Sequence, residues 1–154
     1  MKKNSLYLFI ILYLVCNTGC FVKYHIFPSI FGFITIEIIV PNEQINDGII
    51  LPVDIIIVKN SDQILELSPD DWFVSSERET LTDNELYRLA VKNGDSQRLK
   101  IKIKPDIERL IIYADYDIKN DFNSQRVIFP VGKFLYNYRV FVGQYKLNYN
   151  ENLK

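Results

Sequence analysis

Gly32 to Lys59 reads GFITIEIIVPNEQINDGIILPVDIIIVK, and its two flanks decide the fold class. In Gly32 to Val40, residues Ile34, Ile36, Ile38 and Val40 fall on one face at a period of two. Phe33, Thr35, Glu37 and Ile39 fall on the other. That alternation describes a half-buried strand with its cleaner apolar face toward a core. Pro52 to Lys59 is a second strand, rich in β-branched residues that suit a pleated surface. Between the two, Pro41 to Leu51 is turn-rich, with Asn46-Asp47-Gly48 at its centre.

The same patterns continue along the chain. Leu99 to Lys104 (LKIKIK) points Leu99, Ile101 and Ile103 inward and sends three lysines to water, which also discourages edge-to-edge association. Arg109 to Asp117, Arg126 to Val131 and Tyr138 to Leu147 bring the strands to about seven or eight. Ser68-Pro69-Asp70-Asp71-Trp72-Phe73 has an N-cap serine, proline at the first helical position and acids in the first turn. It predicts a short helix that buries Trp72 or Phe73. Leu86 to Lys92 fits either type. Thr82 and Glu85 have capping-box spacing, which favours helix; the loose alternation before the Asn93-Gly94-Asp95 turn favours strand, the preferred reading. With one short helix and no repeated βα pattern, the chain is expected to be mainly β, an antiparallel β-sandwich with one short helical insertion. The sandwich is expected over 32–147, with 148–154 frayed.

Composition agrees and excludes several functions. Of 154 residues, 48% are hydrophobic and 24% charged, which rules out wholesale disorder. The formal charge of −1 gives no electrostatic reason to bind nucleic acid. Both cysteines, Cys16 and Cys20, lie in the first 20 residues, so the rest of the chain holds no disulfide and no thiolate metal site.

The amino terminus reads as an export signal. Met1 to Ser5 is a short basic region, and Leu6 to Cys16 is an unbroken apolar run of 11 residues. That run is too short to cross a hydrocarbon core of ~30 Å but has the size of a signal-peptide core. Asn17-Thr18-Gly19-Cys20 follows and resembles the bacterial lipobox, with Asn17 where that pattern usually has Leu. The expectation is a signal peptide over 1–19, lipidation of Cys20 and a lipidated tether over 20–31. Acyl chains there contribute about 0.8 kcal/mol per buried CH₂, and more than one chain anchors stably. Removing residues 1–19 takes Lys2 and Lys3 with them and leaves a charge of −3. Phe21 stands where an Asp would favour retention in the inner membrane, so the signal resembles an outer-membrane address.

No catalytic constellation stands out. His25 is the lone histidine and lies in the expected tether, a poor place for a preorganised triad or zinc site. Asp70 and Asp71 are accounted for by the helix start. Asp115 and Asp117 share one face at the end of a strand, where a solvated turn explains them better than a Ca²⁺ or acid/base site. No glycine-rich phosphate loop is present. No catalytic, metal or cofactor-binding residue is therefore assigned.

The order of these features carries a resemblance. A lipoprotein signal precedes a strand, a polar loop with Asn46-Asp47-Gly48 and the strand Pro52 to Val58. Ser68 to Phe73 and then Leu110-Ile111-Ile112-Tyr113-Ala114-Asp115-Tyr116 follow. Over Ile34 to Val142 this resembles the TssJ (SciN) family, the outer-membrane lipoproteins of type VI secretion systems. The resemblance implies a transthyretin-like β-sandwich without enzymatic activity, lipid-anchored at the periplasmic face of the outer membrane. It also implies a partner, the periplasmic domain of a TssM/IcmF-like inner-membrane protein. The loop between the first two strands, here Pro41 to Leu51, is the implied contact. Its candidates are Asn42, Gln44, Ile45, Asn46, Ile49 and Ile50, and the three isoleucines are read either as partner anchors or as packing under the loop. Two other classes stay open: a pilotin-like assembly lipoprotein of another envelope machine, and a ligand-binding transthyretin-like module.

Overall fold

The alternation of Gly32 to Val40 becomes strand β1 (Phe33–Ile39), and the apolar run after the loop becomes β2 (Leu51–Val58). The computed structural model describes residues 32–59, 64, 67–102, 104, 106–118, 121–131 and 137–150. The expected signal peptide, Cys20, His25 and the expected tether lie outside the described residues. The remaining strands are β3 (Leu86–Val91), β4 (Ser96–Lys102), β5 (Arg109–Ala114), β6 (Arg126–Pro130), β7 (Asn137–Val142) and β8 (Leu147–Asn150). Between β2 and β3 lie two short helices, α1 (Pro69–Val74) and α2 (Ser76–Thr80). No helix among the described residues is long and apolar enough to cross a membrane.

The strands form two four-stranded sheets, ordered β4-β1-β7-β8 and β3-β2-β5-β6. The expected mainly-β sandwich is therefore present, with four differences in detail. First, β1 pairs with β7 in parallel, Ile36 opposite Tyr138, while every other ladder among the described residues is antiparallel. Second, the helical insertion holds two helices, because Ser75 ends α1 and its hydroxyl caps α2 by accepting from Arg78 N. Third, Tyr138 to Leu147 is two strands around a turn at Gly143 to Lys146. Fourth, 148–150, expected to fray, complete β8. The ambiguous segment is strand β3. The Thr82–Glu85 spacing makes one turn, with Glu85 Oε2 accepting from Thr82 N and Oγ1, and the turn feeds directly into that strand.

The core between the sheets takes Ile34, Ile36, Ile38 and Val40 from the first sheet. Val53, Ile55, Ile57, Leu110, Ile112, Val127 and Phe129 come from the second. Each such side chain contributes roughly 1.5–3 kcal/mol on burial. A second core lies on the far face of β3-β2-β5-β6, where Ile56, Val58, Leu86, Ile111 and Tyr113 pack against Ile64 and Trp72. The helices cover that face, so β2 is buried on both sides and loses the alternation seen in β1.

One acid sits inside this second core. Asp54 of β2 is 1% exposed. Its Oδ2 accepts from Trp72 Nε1 (2.9 Å) and Arg78 Nε (2.7 Å), and its Oδ1 accepts from Arg78 Nη2 (3.4 Å). Trp72 stacks on Tyr113 with centroids 5.5 Å apart. The Tyr113 hydroxyl in turn donates to the Ile64 and Leu67 carbonyls. A charge-assisted fork thus fastens both helices to the sheet.

Candidate functional site

The loop from Pro41 to Ile50 leaves β1 and enters β2 at one pole of the sandwich. Because β1 and β7 are parallel and β4 is antiparallel to β1, three other connections reach the same pole: the β3–β4 turn, residues 115–118 after β5, and the β7–β8 turn. All three hold the loop. Val40 N donates to Asp95 O (2.8 Å), Gly94 N to Pro41 O (2.9 Å) and Ile45 N to Asn93 Oδ1 (3.1 Å). Asn46 N donates to Gln144 O (3.1 Å), and its Oδ1 accepts from Asp117 N (2.8 Å).

The tip turns through Asn46, Asp47 and Gly48, all at positive φ (42°, 54° and 83°). Asn, Asp and Gly are the residues that tolerate this left-handed region best, which is why that triplet stands there. The Tyr145 hydroxyl donates to Asp47 Oδ1 at 2.7 Å. The adjacent Asp47 carboxylate, with partial burial, raises the phenol above its ordinary pKa. Beneath them the buried Tyr116 hydroxyl donates to the Gly143 and Lys146 carbonyls and fixes the β7–β8 turn. Burial pushes that phenol up as well, so it stays a donor at any physiological pH.

The expected contact residues separate into two sets. Ile45 is 0% exposed and joins the main core, and Asn46 is buried with both hydrogen bonds directed into the protein. Neither presents a side chain to a partner, because the loop needs both for its own seating. Asn42 and Gln44 are exposed, and Ile49 and Ile50 are 54% and 58% exposed, an apolar pair on an otherwise polar tip. The pole is thus rigid below and part apolar above, a form suited to recognition.

Chemistry of other kinds finds little material. Among the described residues, no group of three or more His, Cys, Asp or Glu side chains is placed to hold a metal ion. Strand β5 ends at Ala114, so Asp115 and Asp117 lie beyond it, on either side of buried Tyr116.

No family model matches the chain, and no curated protein matches it. Solved structures do. The crystal structure of the T6SS lipoprotein TssJ1 from Pseudomonas aeruginosa superimposes with a TM-score of 0.65 at 13% identity, covering 79% of this chain and 97% of that one. The protein has a TssJ-like fold. Serratia marcescens Lip, a membrane-bound component of the type VI secretion system, gives a TM-score of 0.62 at 10% identity, with 79% and 98% of the two chains covered. A structure described as the T6SS protein TssM C-terminal domain from EAEC gives 0.59 at 13% identity, over 77% and 97%.

Within this TssJ-like fold, sequence reasoning missed the Asp54 fork and the seating of the loop. A single carboxylate in the apolar run Pro52 to Val58 was the available signal for the first. For the second there was none, because Asn93, Asp117 and Gln144 lie 47 to 98 residues from Asn46 in the chain.

Proposed function

We propose that this chain is a non-enzymatic lipoprotein of a type VI secretion membrane complex. In this reading it is anchored through acyl chains on Cys20 at the periplasmic face of the outer membrane. It holds the periplasmic domain of a TssM/IcmF-type inner-membrane protein. The observation that carries the reading is the fold match over nearly the whole of the lipoprotein structures, joined to a lipobox-like Asn17-Thr18-Gly19-Cys20 ahead of the sandwich. The contact is assigned to the exposed part of the loop pole: Asn42, Gln44, Ile49 and Ile50.

Two experiments test it. Cys20→Ser should move the protein out of the outer-membrane fraction, and retention there would refute lipid anchoring. Ile49→Asp with Ile50→Asp should weaken capture of the partner's periplasmic domain at least tenfold and leave the unfolding midpoint unchanged. Undiminished capture would remove the loop from the interface.

A further inference from the structure

Among the described residues no helix lies on the outer face of sheet β4-β1-β7-β8, and the residues of that face follow from the strand registers. One row holds Ser96, Ile39, Phe141 and Asn148. The next holds Arg98, Glu37 and Arg139, the third Lys100, Thr35 and Asn137, and the last Lys102 and Phe33. Four cations face one acid on a chain whose formal charge is −1. Arg98 and Arg139 both bind Glu37, at 2.9 and 2.8 Å. Arg139 and then Arg98 hold the Glu37 carboxyl below its ordinary pKa, so the face keeps this one fixed negative charge. Lys100 and Lys102 are exposed and form no ion pair among the described residues. Phe33 and Phe141, 49% and 39% exposed, stand at opposite ends of the face.

We infer that this face docks on an anionic phospholipid surface, an inference that rests on the membrane-anchored reading above. Two observations favour a bilayer, on a face that also holds an open hollow lined by Thr35, Glu37, Arg98, Lys100 and Arg139. The cations of the face lie between two exposed aromatic rings, Phe141 at one end and Phe33 at the other, and cations beside such rings settle at the headgroup level. The two unpaired lysines lie toward the Phe33 end of β1, where the chain from Cys20 joins the sandwich. The 13 residue steps from Cys20 to Phe33 span at most about 45 Å, so the face stays within reach of an anchored bilayer. Docked in this way, the sandwich turns its loop pole away from the point of attachment. Each lysine near an anionic surface is worth about a fivefold change in occupancy.

The test uses the native chain as purified from its envelope, inserted into nanodiscs of phosphatidylcholine alone or of phosphatidylethanolamine with phosphatidylglycerol. Lysine acetylation is followed residue by residue. Lys100 and Lys102 should react about tenfold more slowly on the anionic discs at low salt, with protection lost at high salt as screening shortens the interaction. Exposed Lys92 and Lys146 at the loop pole should react equally on both. Equal rates at Lys100 and Lys102 on the two lipids would overturn the docking. So would protection that appears only when the periplasmic partner domain is added, which would make the face a protein contact. The mass of the amino-terminal peptide reports acylation of Cys20 separately. An acylated chain without lipid-dependent protection sinks the docking and keeps the anchor; protection on an unacylated chain does the reverse.

Discussion

Removal of the Asp54 carboxylate should loosen both helices from the sheet. In Asp54→Ala the Trp72 indole N–H and the Arg78 guanidinium lose their acceptor together. Arg78 keeps 21% of its side chain in solvent, so its charge is left largely desolvated. Stranding one member of a buried pair costs about 3–5 kcal/mol, and the residual exposure of Arg78 places the expected loss near 3 kcal/mol. For a domain of about 120 residues that is a fall of roughly 10 °C in Tm. Asp54→Asn keeps an acceptor of the same shape and should cost less, about 1–2 kcal/mol. Asp54→Ala combined with Arg78→Ala should cost less than the sum of the two single changes, because the stranded charge is gone. Urea unfolding followed by circular dichroism gives the stabilities. Trp72, the single tryptophan, reports the helices by its emission, which should shift to the red as it leaves Tyr113. An Asp54→Ala protein within about 0.5 kcal/mol of the parent, with unchanged Trp72 emission, would refute the fork as the fastening.

Three further expectations concern the loop pole and the sheet end. Ile45→Asp puts a carboxylate at a fully buried site and should unfold the domain at ambient temperature, read by loss of cooperative thermal unfolding; a folded variant would show that Ile45 reaches solvent. Gly94 has φ +78°, and a Cβ there would lie 2.7 Å from Asn42 Oδ1, so Gly94→Ala should cost about 1–3 kcal/mol in chemical denaturation. Lys59 first, and Thr82 after it, hold the Glu85 carboxyl at about 2, below the usual 4.5. A lowered folded-state pKa stabilises above pH 4.5, and that contribution is lost as the pH falls through about 2. Both side chains are partly exposed, so Glu85→Gln should cost only about 1 kcal/mol at neutral pH, with the gap to the parent closing in acid.

The legibility of each strand tracks how many of its faces are wet. β1 could be read residue by residue because one face is core and the other meets solvent, and Ile34, Ile36, Ile38 and Val40 are buried as their spacing requires. β2 and β5 carry no such alternation, because the helices bury their second face; only β-branching marked them as strands. Sheet partnership left no local trace at all. The β1–β7 ladder joins residues about 102 apart, and nothing in either segment encodes a parallel neighbour. Gly143 to Lys146 passed as strand because Tyr145 has a strand former's side chain, yet that ring turns to Asp47. The Thr82–Glu85 pair shows the converse. Its capping chemistry is real, but it closes a single turn, and the chain then extends because Leu86 must reach the second core.

The loop pole shows why its three isoleucines could not be sorted by sequence. Left-handed conformations at Asn46 and Asp47 cost of order 1 kcal/mol each in an isolated chain. Here Asn46 is held from two directions by Gln144 and Asp117, Asp47 is held by Tyr145, and Ile45 is drawn into the core. These contacts offset the strain and fix the loop before any partner arrives. In the proposed partner-binding role, a loop ordered in advance would lose little conformational entropy on association, so contact area at exposed Ile49 and Ile50 would go to affinity rather than to ordering. Burying Ile45 and exposing Ile49 and Ile50 are therefore two parts of one arrangement. The inward residue and the strained turn determine where the outward pair stands, and that division exists only once residues 93, 117 and 144 have been brought to the same end of the sandwich.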